Sequence, residues 1–433
     1  MKTVRKSILA GLVLFLAVEV VASIPETEYR QRRERLAGLL DTSSAMVLRA
    51  AEPRQRSGDV NYRYRQESNL LYLTGIEEPN VTLLIVPRGV TIEGKKASRL
   101  LFVPQSAAGS RDAEFFADGI VLDVSRFQGV FGASLPGLRT LYLSAPDIRF
   151  VNDWLNDRRL FLDRDAKKEI EQRHPDLKVK NAGPIVTRLR EIKSPTEIAL
   201  IREAIRMTGD GLRRAMEICR VGAYEYELQA VVESEMIRQG AAYQSFPSIV
   251  GSGRNSLIPH YDENRRQLRD GEVVVLDVGA EYEGYAADIT RTIPVSGRFS
   301  KEQREVYAAV LKAQEAVVAA IRPGLPWAEL DKTARAALAA AGFGKYLNHG
   351  VSHHVGLDVH DPGSMDTLRA GMVITVEPGA YIPVADTALA AAYRGFGVRI
   401  EDDVLVEEHG ATVLSKDIPQ EIDAVEALIR QKK

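Results

Sequence analysis

The sequence of 433 residues has very little cysteine, with Cys219 as its single example. One cysteine cannot form a disulfide within the chain, and it cannot supply a zinc site built from several thiolates. The net charge is also small, −2 at pH 7, so the chain lacks the positive field that attracts nucleic acid. The composition therefore excludes a disulfide-stabilised scaffold and predicts no nucleic-acid partner.

The sequence also has no long hydrophobic run beyond an apolar stretch at Ile8–Ala22. That stretch is shorter than the roughly 20 residues that span a bilayer, and Glu19 interrupts it. Basic residues precede it and small residues end it, as in a secretory signal peptide: Lys2, Arg5, Lys6, Ala22 and Ser23. We predict a signal peptide at 1–23, a secreted or periplasmic location, and no stable membrane insertion after cleavage. A retained anchor is the alternative.

The length, with 45% hydrophobic and 27% charged residues, favours a soluble protein of two domains, or of one large domain with an insertion. Strand-like segments at 81–86, 100–103 and 140–144, mixed with helical stretches, predict an N-terminal α/β domain over 24–185. In the second domain, 186–433, two strand pairs each follow two helical runs, which suggests an internal duplication. The expected fold class is mixed, α/β followed by α+β.

A helix-start signal opens the second domain. Ser194 fits the N-cap position, Pro195 the first helical position, and Glu197 the acid of a capping box. Hydrophobic periodicity predicts four helices and four strands, over 197–219, 225–239, 300–321 and 327–341, and over 272–278, 285–293, 372–377 and 397–406.

Two aspartates stand near apolar strands of this domain. Asp277 ends the run VVVLD, and Asp288 follows eleven residues later. A buried carboxylate is costly unless it is paired or bound to metal. A tight hairpin centred between residues 282 and 283 would place the two aspartates directly opposite each other, where a divalent cation could separate them. The alternatives are a turn-capping role for Asp277 and an ion pair between Asp288 and Arg291.

Two glutamates repeat this arrangement further along the chain. Glu377 ends the apolar run MVITVE, and Glu401 lies within GVRIEDDVL. Alternation places Arg399 and Glu401 on one face of the strand. The alternative is a surface ion pair between Arg399 and Glu401. This alternative is less attractive because two strand pairs of the chain each carry two carboxylates.

Histidines cluster in one segment, because four of the seven in the chain are His349, His353, His354 and His360. Such clustering suggests a role in metal binding or proton transfer. Strand alternation would group His354 with His360 and place His353 on the other face, so spacing alone does not choose the ligand. His260 lies in a loop-like stretch, where a lone histidine is usually a surface residue.

Taken in order, these segments resemble the pita-bread metallopeptidases of family M24, and among them the Xaa-Pro aminopeptidases (aminopeptidase P). The matching stretches are IVGSGRNSLIPHY (249–261), VVLDVGAEYEGYAADITRT (274–292), HGVSHHVGLDVHD (349–361), TVEPGAYI (375–382) and YRGFGVRIEDD (393–403). The segment YRYRQESNLLYLTGIEEP (62–79) resembles the family's N-terminal domain. The resemblance implies a creatinase/prolidase-like N-terminal domain followed by a pita-bread catalytic domain.

Carried over residue by residue, the resemblance implies two divalent metal ions held by five ligands: Asp277, Asp288, His353, Glu377 and Glu401. It selects His353 over His354, and it makes Asp288 and Glu401 the bridging carboxylates. It implies catalytic roles for Glu377, His260, His360 and Arg399, and substrate binding by His260, His349 and His360. Four carboxylates and one imidazole form a hard, oxygen-rich ligand set, which favours Mn²⁺.

The activity that the resemblance implies is hydrolysis of the N-terminal Xaa-Pro bond of proline-containing peptides by a hydroxide that bridges two metals. Two other functions stay open. One is an Xaa-Pro dipeptidase (prolidase) acting through the same site, and the other is a pita-bread binding module without catalysis. The resemblance also implies assembly as a homodimer or homotetramer.

Overall fold

The structure is a computed structural model that describes residues 23–104, 116–144, 150–153 and 158–430. The apolar stretch of the predicted signal peptide, Ile8–Ala22, lies outside these residues. Within the described ranges, no helix combines the length and the apolar character needed to cross a membrane.

The N-terminal region is built on a six-stranded mixed sheet in the order β10-β7-β1-β4-β5-β6. Its strands are Ser44–Arg49 (β1), Thr82–Ile92 (β4), Lys95–Val103 (β5), Ile120–Asp123 (β6), Thr140–Leu143 (β7) and Lys178–Asn181 (β10). Two small hairpins lie apart from this sheet, formed by Gln55–Ser57 (β2) with Val60–Asn61 (β3) and by Phe150–Asp153 (β8) with Arg158–Phe161 (β9). The helices are Glu26–Gly38 (α1), Ser68–Thr74 (α2), Phe127–Ser134 (α3), Leu162–Arg173 (α4) and Gly183–Arg190 (α5). The predicted α/β architecture is confirmed.

The first helix of the C-terminal region, Pro195–Ile218 (α6), begins at the predicted signal. The Ser194 side chain accepts from the Glu197 amide, and the Glu197 side chain accepts in return from the Ser194 amide, which completes a capping box. Cys219 is buried and lies at the C-cap of this helix.

The C-terminal region repeats one pattern twice. Helices Pro195–Ile218 (α6) and Glu225–Arg238 (α7) precede a three-stranded antiparallel sheet of Ile249–Ser252 (β12), Val273–Val278 (β13) and Ile289–Pro294 (β16). Helices Lys301–Ala320 (α8) and Ala328–Ala340 (α9) precede another, formed by Val373–Val376 (β17), Asp402–Glu407 (β20) and Gly410–Val413 (β21). The remaining elements are Tyr243–Gln244 (β11), Ala280–Tyr282 (β14), Tyr285–Ala286 (β15), Gly379–Ile382 (β18), Phe396–Arg399 (β19) and Ile422–Arg430 (α10). The repeat agrees with the duplication suggested by the sequence.

One hydrophobic core continues across the two regions. It includes Leu36 and Leu70 from the N-terminal helices together with Leu200 and Ile289 from the C-terminal region. A separate core fills the other face of the N-terminal sheet. The shared core fixes the N-terminal helices against the strands that carry the candidate site residues.

Candidate metal centre

The first pair of candidate carboxylates lies close together, but not in the predicted register. Asp277 of β13 is opposite Thr290 of β16, and the hairpin turns at Glu283 and Gly284, whose φ angles are 50° and 80°. Two residues with positive φ form the primed turn that suits a twisted hairpin, and glycine favours that position. The turn therefore lies one residue later than predicted, and direct pairing of the two aspartates is wrong. Asp288 instead falls in the gap between β15 and β16.

Even so, the two aspartates meet a third carboxylate. Ligand oxygens of Asp277, Asp288 and Glu401 lie within 4.8 Å of one another. The Glu401 amide donates to the Thr290 carbonyl at 3.1 Å, which ties the second strand system to the first. The Asp288 amide donates to an Asp403 carboxylate oxygen at 3.1 Å. Backbone hydrogen bonds thus bring three acids from distant parts of the sequence to one point.

The histidine question is resolved in favour of His353 as the residue beside the acids. Its Nε2 lies 3.4 Å from Asp288 Oδ2 and 3.6 Å from Glu377 Oε1. His354 points away, since its ring lies against Trp327 and its Nε2 is 3.0 Å from the Ser364 carbonyl. Strand alternation was a wrong guide here because 353–360 forms a loop and not a strand.

The acids of this cluster are poorly compensated by the chain itself. Burial, followed by repulsion from neighbouring carboxylates, raises the pKa of Asp288 and of Glu401 well above the usual range. Burial raises the pKa of Glu377 to about 7, although His353 and Arg399 oppose the shift. Among the described residues, Asp277 Oδ1 and Asp288 Oδ1 are buried without a hydrogen-bond partner. Crowded acids with unsatisfied oxygens fit the binding of divalent cations.

Arg399 is the main cation of the chain at this site. Its guanidinium donates to Asp277 Oδ2 at 2.5 Å and to the Tyr381 hydroxyl at 2.8 Å, and it is 3% exposed. The surface pair with Glu401 that the sequence allowed is therefore not formed. The alternative pairing of Asp288 with Arg291 is wrong as well, because Arg291 binds Asp402.

A cavity of about 520 Å³ opens over the carboxylates. All five predicted metal ligands line it, as do Arg399 and the predicted substrate-binding histidines His260, His349 and His360. Apolar side chains form another part of the wall: Phe246, Pro247, Ile249 and Val359. The cavity thus places a surface suited to a small apolar ring beside the acidic cluster.

The three predicted substrate-binding histidines approach the cluster from different sides. The His360 ring contacts the His353 ring at a tilted angle of 49°, with centroids 4.1 Å apart. His349 Nδ1 lies 3.7 Å from Glu377 Oε2, and its Nε2 is 3.0 Å from the Tyr381 hydroxyl. His260 is exposed at the wall of the cavity. Burial lowers the pKa of His349 and of His360, which favours neutral imidazoles.

Three residues that support the cluster were not identified from the sequence. Tyr381 joins Arg399 to His349, Thr290 donates to Glu401 Oε2 at 2.6 Å, and Asp403 holds the Asp288 amide. Burial raises the pKa of Asp403 to about 8. Thr290 could have been identified from the sequence, because it lies two residues after Asp288 in the second strand of the predicted hairpin.

Comparison with known proteins agrees with the fold. Residues 199–408 match the family model described as metallopeptidase family M24, and residues 29–134 match the N-terminal domain of aminopeptidase P. The Xaa-Pro aminopeptidase of Escherichia coli K12 is 34% identical, over 94% of this chain and 99% of the relative. The Xaa-Pro dipeptidase of Pyrococcus horikoshii is 37% identical, over 58% of this chain and 69% of the relative.

Comparison with solved structures also finds an aminopeptidase P. Aminopeptidase P from E. coli with the inhibitor Pro-Leu superposes with a TM-score of 0.81 and 33% identity, covering 94% of this chain and 99% of that chain. The fold and the acidic cluster define a metallopeptidase. The chain belongs to metallopeptidase family M24, within its Xaa-Pro aminopeptidase group, as the sequence motifs predicted.

Proposed function

We propose that this chain hydrolyses the N-terminal Xaa-Pro bond of peptides, using two divalent cations held by the cluster. The observation that carries the proposal is the crowding of three buried acids, the half-buried Glu377 and His353 around one cavity, with two buried aspartate oxygens left without partners. A binding module without catalysis would have no need to maintain so costly an arrangement of like charges.

Asp277, Asp288, His353, Glu377 and Glu401 would hold the cations, and Asp288 and Glu401 are the proposed shared ligands. Bound there, two divalent cations supply Lewis acidity, which makes hydroxide available near neutral pH and polarises the scissile carbonyl. The hard ligand set favours Mn²⁺ in that role. Metal analysis of the purified protein tests both the number of cations and their identity.

The chain's own residues would handle protons and developing charge. Glu377 lines the cavity beside His353, where its carboxylate can accept a proton from the attacking water and return it to the departing proline nitrogen. His360 and His260 are placed at the cavity wall to stabilise the oxyanion. Arg399 holds Asp277 in place through its 2.5 Å bond, which keeps that carboxylate oriented toward the cluster.

Selection of proline fits the lining of the cavity. Phe246, Pro247, Ile249 and Val359 provide apolar contact for a pyrrolidine ring. The aminopeptidase relative matches 94% of the chain, whereas the dipeptidase relative matches 58% of it. This difference favours aminopeptidase activity over activity restricted to dipeptides.

The experiment compares hydrolysis of Arg-Pro-Pro and Arg-Pro by the Mn²⁺-loaded protein, with and without a chelator. We expect efficient release of arginine from the tripeptide, slower hydrolysis of the dipeptide, and loss of both with chelator. Glu377→Gln is the matched inactive control, since it keeps the side-chain shape. Cleavage of the dipeptide alone would identify a prolidase, and no cleavage of either would reject the proposal.

We also propose that the enzyme acts outside the cytoplasm, because basic residues precede the apolar stretch Ile8–Ala22. Mass analysis of the protein from a cell fractionation should find a mature chain beginning near Ser23 in the secreted or periplasmic fraction. A full-length chain in the membrane fraction would instead identify a retained anchor. Assembly as a dimer or tetramer is a further prediction, which light scattering tests.

A further inference from the structure

A buried ion network lies directly behind one of the cavity histidines. Asp361 follows His360 in the sequence, and its side chain is 1% exposed. Arg190 Nη2 donates to Asp361 Oδ1, and Lys193 Nζ donates to Asp361 Oδ2 at 3.1 Å. Both cations lie where α5 ends and α6 begins, so the junction between the two regions of the molecule contacts the histidine segment.

Asp361 also closes the segment that we call the histidine loop, residues 353–361. Its amide donates to the His354 carbonyl at 2.9 Å, and its Oδ1 accepts from the Asp358 amide at 3.1 Å. Gly356 packs against the same carboxylate, because a Cβ there would lie 2.7 Å from it. The carboxylate thus forms the centre around which the loop folds.

The two ends of the histidine loop are held by different partners. The His353 amide donates to Thr375 Oγ1 at 3.1 Å, and the His353 carbonyl accepts from the Thr375 amide at 2.8 Å. His353 is therefore fixed by its neighbouring strand. His360 lies at the end that Asp361 anchors, so displacement of Asp361 should move His360 more than His353.

Side chains of the N-terminal region hold the outer face of the same loop. Asp358 accepts from Ser68 Oγ at 2.6 Å and from Arg190 Nη2 at 2.7 Å. Arg65 donates to the Leu357 carbonyl and, at 2.7 Å, to Glu281. Arg65 and Ser68 both belong to the stretch that matches the aminopeptidase P N-terminal domain.

The charges of the network support a fixed geometry. Burial would raise the pKa of Asp361, but Lys193 and Arg190 outweigh it and hold that pKa below the usual range. A buried ion pair adds little net stability compared with apolar packing, and its retention suits a role in specifying one conformation. The position of this network behind the His360 end of the loop indicates which conformation it specifies.

We infer that Asp361 is a positioning residue through which Arg190, Lys193 and the N-terminal region fix His360 over the cavity. According to this inference, the N-terminal region contributes to substrate binding within a single chain, because its side chains hold the loop that carries His360. It rests on the proposed function only for its kinetic readout, since loop protection and peptide binding can be measured without turnover.

The test compares Asp361→Asn with a matched control, Asp118→Asn. Asp118 is also a buried carboxylate held by two cations, Arg33 and Arg99, but it lies within the N-terminal region. Four quantities are measured for each variant: melting temperature, Mn²⁺ affinity, affinity of the Mn²⁺-loaded protein for the dipeptide Pro-Leu, and kcat/KM for Arg-Pro-Pro. Hydrogen exchange of the metal-free chain reports on the amides of Gly356, Asp358 and Asp361.

For Asp361→Asn we expect Pro-Leu affinity and kcat/KM to fall about 100-fold, because a misplaced contact group costs this much. Mn²⁺ affinity should stay within about twofold, and the loop amides should lose protection from exchange. Asp118→Asn should lower the melting temperature and leave the other quantities unchanged. Ser68→Ala, a milder change in case Asp361→Asn fails to fold, should give the same pattern at about fivefold, the value of one hydrogen bond.

Two results would overturn the inference. If Asp361→Asn and Ser68→Ala resemble Asp118→Asn in peptide binding and loop exchange, the network only joins the two regions. If Mn²⁺ affinity falls in parallel with peptide binding, the network positions His353 and not His360. A wild-type chain that binds Pro-Leu but cleaves no Xaa-Pro peptide would contradict the proposed function alone, because the binding and exchange differences would still test Asp361.

Discussion

The acids and the histidines reach the same cavity from two kinds of backbone. Asp277 lies within β13, Glu377 directly follows β17, and Glu401 lies between β19 and β20, so ladder hydrogen bonds fix the chain at or beside each of these acids. His353 and His360 come from a loop whose shape depends on side chains such as Asp361. This difference suggests two separate functions: the acids, with His353 at the end of the loop that Thr375 holds, would form the proposed metal centre, and His360 at the other end would place the substrate.

The difference predicts which substitutions should affect metal binding and which should affect peptide binding. A change in an acid alters the charge at the centre of the cluster and should act through metal binding or proton transfer. A change at the His360 end of the histidine loop should weaken peptide binding while the metals stay bound. The following predictions test this separation, from the largest expected effect to the smallest.

Asp288→Asn should have the largest effect, because Asp288 is proposed to be shared by both cations and its oxygens lie within 4.8 Å of ligand atoms of Asp277, Glu401 and His353. We expect loss of Mn²⁺ binding by calorimetry and loss of peptidase activity that added Mn²⁺ does not restore. Asp118→Asn, which removes a buried acid elsewhere, serves as the control and should keep both properties. Normal Mn²⁺ binding by Asp288→Asn would remove this residue from the proposed ligand set.

Glu377→Gln should reduce kcat by about 10³ to 10⁴, because an amide cannot take up the proton that Glu377 is proposed to transfer. Steady-state kinetics at saturating Mn²⁺ separates this loss from weaker metal binding. A kcat within tenfold of the wild-type value would show that another group carries the proton.

His360→Ala should lower kcat/KM about 100-fold, in the range expected for removing a donor to an oxyanion, and should leave Mn²⁺ affinity unchanged. His354→Ala is the matched control from the same loop, since its ring packs on Trp327 and away from the acids. We expect His354→Ala to lower the melting temperature with little change in kcat/KM. The reverse pattern would contradict the assignment of the two histidines.

Metal removal should make stability depend on pH. Folding raises the pKa of Glu377 to about 7 and that of Asp403 to about 8, so the unfolded chain releases these protons at lower pH than the folded chain does. Above about pH 7, His349 and His360, whose pKa values folding lowers, are largely neutral in both states, so the free energy of unfolding of the metal-free protein should fall as pH rises from about 7 to 8. Mn²⁺ at 100-fold excess over the Kd of each site should restore about 2.7 kcal/mol for each cation bound. Thermal melts across this range check both effects, and a pH-independent melting temperature would contradict them.

Tyr381→Phe should have the smallest effect, about tenfold on kcat/KM. The substitution removes a hydroxyl that bonds Arg399 at 2.8 Å and His349 at 3.0 Å, and each lost bond is worth about fivefold or less. Kinetics with Arg-Pro-Pro measures the change. A loss as large as that of Glu377→Gln would place Tyr381 in the chemical step itself.

The sequence predicted what depends on local pattern. The Ser194–Glu197 capping box, the helices of the C-terminal region and the acids at strand ends all follow from neighbours a few residues apart. The predicted hairpin paired Asp277 with Asp288, whereas Asp277 pairs with Thr290, two residues further on. The strand pattern does not say which residues accept positive φ, and the turn at Glu283 and Gly284 sets the register. The supporting residues were missed because their partners are distant, as with Asp403 and Asp288 at a separation of 115 residues.

The choice of His353 shows a different limit. Period-two alternation applies to strands, and the histidine loop is held by side chains from three separate segments, including Arg190 and Ser68. No local rule relates these residues to one another, so the family motif carried information that spacing could not. The same reasoning explains why Asp361 was not singled out from the sequence.

The most direct test of the account is a titration of Mn²⁺ into the metal-free protein, with Arg-Pro-Pro hydrolysis measured at each addition. We predict that arginine release appears with the first added cations and reaches its plateau at two Mn²⁺ per chain. A chain that binds no Mn²⁺, or one whose hydrolysis is complete without it, would contradict the central claim that the five-residue cluster is a two-metal peptidase centre.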